Sequence, residues 1–147
     1  MPNSIDVAKW FLAQSNEEAG DLVSNLKLQK LVYYAQGFHL AVFEKPLFDD
    51  VIEAWTHGPV VPNVYHHYKQ HGSGSIPVPQ DFNPDVFSSE QVELLNEVQQ
   101  IYGQYSAWRL REMTHEETPW RKNFETGALS KTIPVDDMQS FFKGLLK

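Results

Sequence analysis

Cysteine is missing from the chain altogether. That excludes disulfides, a thiol nucleophile and cysteine-ligated zinc, and it removes any sign of an oxidising compartment. Also missing is an apolar run approaching the ~20 residues that a membrane span requires. The opening residues, MPNSIDVAKWFLAQ, have no basic start followed by an apolar stretch, so they do not read as a signal peptide. The expectation is a soluble, cytoplasmic protein without membrane contact. Basic charge is scarce, with 12 lysines and arginines against 19 acids and a net charge of −7. Nucleic-acid binding draws much of its affinity from phosphate neutralisation, and the KNF and RLR pieces near the C-terminus are too thin to form a basic patch. No nucleic-acid partner is expected. Phosphate loops, dinucleotide fingerprints, nucleophile elbows and kinase signatures are absent too. No cofactor is therefore expected.

What is present is apolar and aromatic. The chain has 147 residues, 41% hydrophobic and 13% aromatic, which suits a globular chain with one domain over 1–147. Residues 26–44, LKLQKLVYYAQGFHLAVFE, organise the rest. Leu28, Leu31, Val32, Ala35, Phe38 and Val42 recur with the period of a helix face. Leu26, Tyr34, Gly37, Leu40 and Ala41 carry apolar surface around the other sides, and a helix apolar on most sides is packed on most sides. This stretch is predicted to be the central buried helix. Gly37, costly in a helix by about 1 kcal/mol against alanine, predicts close approach of another backbone. Gln29, Tyr33 and Gln36 form a polar stripe that needs partners if covered, since an unpaired buried polar group costs about 1–3 kcal/mol. The stripe is a solvated edge, a satisfied structural network or the floor of a recognition groove. It is expected to face residues 55–59 and 114–120, which are also rich in polar groups.

The remaining elements follow in order. Ser4 or Asn3 can cap a first helix from Ile5 to about Gln14. The acidic stretch 16–20 reads as a turn, and Ser24 caps the central helix, which Lys45-Pro46 stops. Residues 47–55 read as two very short strands around the Asp49-Asp50 turn, giving at most one hairpin near 47–57, followed by a loop at His57-Gly58-Pro59. Pro62 opens a short helix carrying Val64, Tyr65 and Tyr68. Residues 72–87, with three prolines and two glycines, read as an exposed, mobile loop. Ser88 and Gln91 form a capping box for a helix with Val92, Leu94, Leu95, Val98 and Ile101. Ser106 caps a helix carrying Trp108, Leu110 and Met113, and Pro119 starts a further turn of helix. Pro134 opens the last one, docked by Met138, Phe141, Phe142, Leu145 and Leu146, with Lys143 and Lys147 suited to its C-terminal end. The fold class is mainly α.

Several residues invite a chemical reading. His67 and His71 stand at the i, i+4 spacing of a zinc pair, beside His66. No acidic residue accompanies them and the HExxH pattern is absent, so a solvated helix face is expected and no metal. His115 and Glu117 bring a base and an acid together at a helix end, where His115 can equally serve the last carbonyls. Catalysis would need a pocket and shifted pKa values. Met113 and Met138 read as core. Trp10, Trp55, Trp108 and Trp120 suit a core, and also an interface, where tryptophan supplies hot spots.

Three blocks then stand together: KLQKLVYYAQG at 27–37, EAWTHGPVVPNVY at 53–65 and LREMTHEETPW at 110–120. In this order and spacing the chain resembles the Panacea antitoxin domain family, the phage-associated GepA-like or SocA-like proteins. The matched residues are Lys27, Leu28, Gln29, Lys30, Tyr33, Tyr34, Gln36, Gly37, Trp55, His57, Gly58, Pro59, Val60, Tyr65, Thr114, His115, Glu117, Pro119 and Trp120. The resemblance implies a small helical antitoxin, encoded beside a toxin on a prophage or mobile element, that neutralises a cognate toxin protein by direct binding. It marks Gln29, Tyr33, Gln36, Trp55, His57, Pro59, Tyr65, His115, Glu117 and Trp120 as the partner-binding or signature cluster. One alternative is a proteolytic adaptor that delivers the toxin to an AAA+ protease. A second is a small enzyme using His57, His115 and Glu117, and a DNA-binding repressor comes last.

Overall fold

The computed structural model describes residues 1–15, 23–127 and 131–146. The expected turn at 16–20 and Lys147 lie outside them. The described elements run α1 (Ser4–Ala13), α2 (Asn25–Phe43), β1 (Glu53–Trp55), β2 (Gly58–Val60), α3 (Pro62–Tyr68), α4 (Ser89–Tyr102), α5 (Ala107–His115), α6 (Thr118–Asn123), β3 (Lys131–Thr132) and α7 (Val135–Leu145), with 3-10 turns at Lys69–His71 and Pro84–Val86.

Local chemistry sets the helix starts. Asn3 and Asp6 form a reciprocal capping box on α1, as do Ser88 and Gln91 on α4. Single side-chain caps from Ser24 and Ser106 open α2 and α5. Each satisfies backbone N–H groups that lack a partner within the helix. At its far end α2 stops on Glu44, which takes a left-handed conformation at φ 58° two residues before Pro46.

Helix α2 is the axis of the molecule. Of its 19 residues, 14 are buried, and it packs against α1, α3, α4, α5, α7 and β2. Burial on all sides follows from apolar groups around its whole circumference. Val42 is the exception among the expected core positions, at 49% exposure. Gly37 does permit a close approach, but of a side chain, not a backbone: a Cβ there would lie 2.1–2.5 Å from the Phe142 ring of α7. Phe142 and Met138 dock α7, whereas Leu145 and Leu146, expected to dock too, are about half exposed.

The small sheet differs from expectation. It has three antiparallel strands in the order β2-β1-β3, with Glu53 opposite Val60 and Thr132. The hairpin turn falls at 56–57, and Gly58-Pro59, read as loop, is strand. Leu47 and Phe48, read as strand, pair with no strand among the described residues. The Gln36 side chain takes the place of one, accepting from Leu47 N and donating to Phe48 O, both at 2.8 Å. Loop 72–87 is anchored at both ends: Ile76 and Phe87 are buried, and Ile76 N donates to Val23 O at 2.9 Å.

Candidate functional site

Where the start of α2, the hairpin, α3 and the start of α5 meet, they leave a groove of about 890 Å³. Trp55, Tyr65, Trp108 and Phe124 supply aromatic surface, with Leu26, Ala54, Val60 and Ala107 between them. Trp55 meets Tyr65 edge to face, ring centroids 5.0 Å apart. Its indole N–H donates to Glu53 Oε1 at 2.9 Å. Such a cleft, mostly apolar with a few polar groups at its base, has the make-up and size of binding sites.

The base is polar and tied down. Gln29 Oε1 accepts from Val61 N, Gln29 Nε2 donates to Asn25 Oδ1, and Asn25 Nδ2 donates to Tyr65 O. This relay fixes α2 to the β2–α3 connection. Beside it lies Lys30, fully buried, whose ammonium donates to Pro59 O at 3.1 Å. Burial, and secondarily the nearby charge of Arg111, lower the Lys30 pKa from 10.5 to about 7. The hairpin accommodates this side chain through Gly58, at φ 112°, where an added Cβ would come within 2.7 Å of Lys30 Cε and 2.8 Å of Thr114 Oγ1.

One rim is a chain of contacts. Trp108 is 58% exposed. The Arg111 guanidinium lies 4.4 Å from the centre of its ring, and Arg111 Nε donates to His57 Nδ1 at 3.0 Å. His57 is exposed at the hairpin turn. Helix α5 thereby grips the turn from the solvent side.

A second polar node lies deeper. Tyr34 and Tyr33 donate to the two oxygens of Glu117, at 2.7 and 3.2 Å. Tyr34 also stacks on Tyr102 at 3.9 Å. Burial raises the Glu117 carboxyl to about 7, with the two tyrosine hydrogen bonds opposing the shift. The same burial and the Glu117 charge hold Tyr33 and Tyr34 well above the ordinary tyrosine range. Next to this node His115, Trp120 and Phe124 form a stack at 3.9 and 4.6 Å. Trp120 Nε1 donates to Trp55 O at 2.7 Å. His115 Nε2 makes no hydrogen bond of ordinary geometry among the described residues; burial lowers its pKa, with Arg111, Lys30 and His57 adding to the effect and the Thr56 backbone opposing it.

The three sequence blocks thus meet, each pair of them through a hydrogen bond: Lys30 with Pro59, Tyr33 with Glu117, Trp120 with Trp55. The polar stripe does not act as one surface. Gln29 reaches the groove and Tyr33 reaches Glu117, but Gln36 faces Leu47 and Phe48 on another side. Trp55, His57, Tyr65 and Gln29 line the groove, whereas His115, Glu117 and Trp120 brace it from behind. Of the candidate catalytic trio, only His57 lines the groove. Sequence reasoning missed Lys30 and Arg111 as site residues. A lysine within a helix apolar on every side was the available signal for Lys30; Arg111 gave none. His66 and His67 are exposed on α3, and no metal-holding cluster occurs among the described residues. No described helix is long and apolar enough to cross a membrane.

Comparison with known proteins bears on this geometry. The family described as antitoxin SocA-like, Panacea domain, matches residues 28–121. The protein named antitoxin SocA from Caulobacter vibrioides (strain NA1000 / CB15N) is 46% identical over 50 residues, which cover 34% of this chain and 27% of that protein. No solved structure matches.

Proposed function

The chain belongs to the SocA-like, Panacea-domain antitoxin family, and on that premise we propose that it neutralises a cognate toxin protein by binding it, without catalysis, as one domain in the cytoplasm. The observation that carries the reading is the family match over 28–121, which takes in the whole groove lining except residues 24–26 and Phe124. The groove is the contact surface in this proposal. It offers aromatic walls and an exposed tryptophan, the residue type that dominates binding energy at interfaces. Its polar base is already satisfied by Gln29, Asn25 and Tyr65, so closing it with a partner leaves few groups unpaired.

Co-expression with the product of the adjacent gene tests this. Growth arrest by that product alone, relieved by this chain with a complex recovered from the cells, is the expected result. A harmless neighbour, or arrest that persists with no complex formed, would sink the proposal. In the same cells, the toxin's half-life with and without AAA+ proteases separates simple blocking from delivery for degradation.

A further inference from the structure

Among the described residues, the groove lining contains no aspartate or glutamate. Glu53, a carboxylate beside the lining, is engaged with the Trp55 indole. Basic groups gather on one side instead: Lys30 under the hairpin turn, Arg111 outside the lining but in contact with its Trp108 and His57, and His115 nearby. Elsewhere Lys9, Lys122, Lys131 and Lys143 each pair with a carboxylate. Arg111 takes part in no ion pair among the described residues. Its Nε is used on His57 and its plane is held against Trp108, and its two Nη groups make no hydrogen bond with described residues.

We propose that the groove receives an acidic segment of the toxin, one carboxylate held by the Arg111 fork and a neighbouring apolar side chain seated between Trp55–Tyr65 and Trp108–Phe124. This rests on the reading that a toxin is bound. A guanidinium presents paired N–H donors that match a carboxylate. Stacking on Trp108 orients that fork in advance, so little side-chain freedom is left to lose on binding. Lys30 and Arg111 repel each other, and an anion placed beside them relieves that repulsion. A phosphate backbone meets the same fork, but it brings a charge at every nucleotide to a chain of net charge −7, where the proposed contact needs a single carboxylate beside an apolar side chain.

Titration calorimetry on the full chain with the adjacent gene's product, inactivated, tests the proposal at low and high salt. Arg111→Gln is expected to weaken binding about tenfold or more and to flatten its salt dependence. Arg111→Lys falls between, and thermal melts check that both variants are folded. Independently of any variant, an array of overlapping toxin peptides probed with the wild-type chain is expected to capture acidic peptides, and to lose them when Asp and Glu become Asn and Gln. Wild-type and Arg111→Gln binding equally tightly at both salts, or amide peptides captured as well as acidic ones, would overturn the proposal while leaving the antitoxin reading intact. Capture of a single-stranded RNA probe in place of the acidic peptides overturns it as well. Failure of the wild-type chain to bind the toxin at all sinks the antitoxin reading itself.

Discussion

Alanine normally improves on glycine within a helix by about 1 kcal/mol. At position 37 the sign reverses, because the added methyl enters the Phe142 ring. Gly37→Ala is expected to destabilise by about 1–3 kcal/mol, read from urea unfolding. Two buried ionisable side chains set a second expectation. Glu117 keeps its proton to about pH 7 in the fold, against 4.5 ordinarily. The folded chain therefore holds more protons than the unfolded one between those values, and stability from this group falls as pH rises through them. Lys30 gives up its proton near pH 7 folded, against 10.5 ordinarily, so its contribution rises with pH above 7. Each effect scales at about 1.4 kcal/mol per pKa unit. His39 and His115, both lowered, oppose the Glu117 trend below 6.5. Measurement is therefore by difference. Between pH 5 and 7 the wild type loses stability relative to Glu117→Gln, and between pH 7 and 9 it gains relative to Lys30→Met.

Among the elements, helices were legible because each carries its own start signal and period. Ser24, Ser88 (boxed with Gln91) and Ser106 each cap a helix from the residue before it, Pro62 is the first residue of α3 and Pro119 the second of α6. Of the strands, β1 falls within the hairpin expected near 47–57, whereas β2 and β3 were not legible. Three residues are too few to show an alternation, and β3 lies more than 70 residues along the chain from its partner β1. Leu47 and Phe48 misled because their composition suits a strand while a side-chain amide satisfies their backbone. Helix α6 is the short element on which the groove's back wall depends. Trp120, 9% exposed, stacks between His115 and Phe124 and holds the hairpin through Trp55 O. Trp120→Ala is expected to cost about 3–5 kcal/mol, seen as a lower midpoint in thermal or denaturant unfolding.

At the scale of the whole molecule, the groove has walls from residues 24–30, 54–60, 65–73, 107–108 and 124. No periodicity links such separated pieces, so sequence pattern indicated the importance of the three blocks but not the shape they make. Trp55, His57 and Tyr65, which share one block, all line the groove. Arg111 gave no such signal, since its contacts with Trp108 and His57 exist only once the fold brings the three together.

Of the four tryptophans, Trp10 and Trp120 are enclosed, Trp55 is partly covered, and Trp108 stands 58% exposed at the mouth of the groove. Indole emission moves to shorter wavelength when water leaves the ring. The molecule thus carries an unlabelled optical reporter at its own doorway: whatever settles there shifts the red edge of the spectrum, while the enclosed indoles provide a steady background against which to read it.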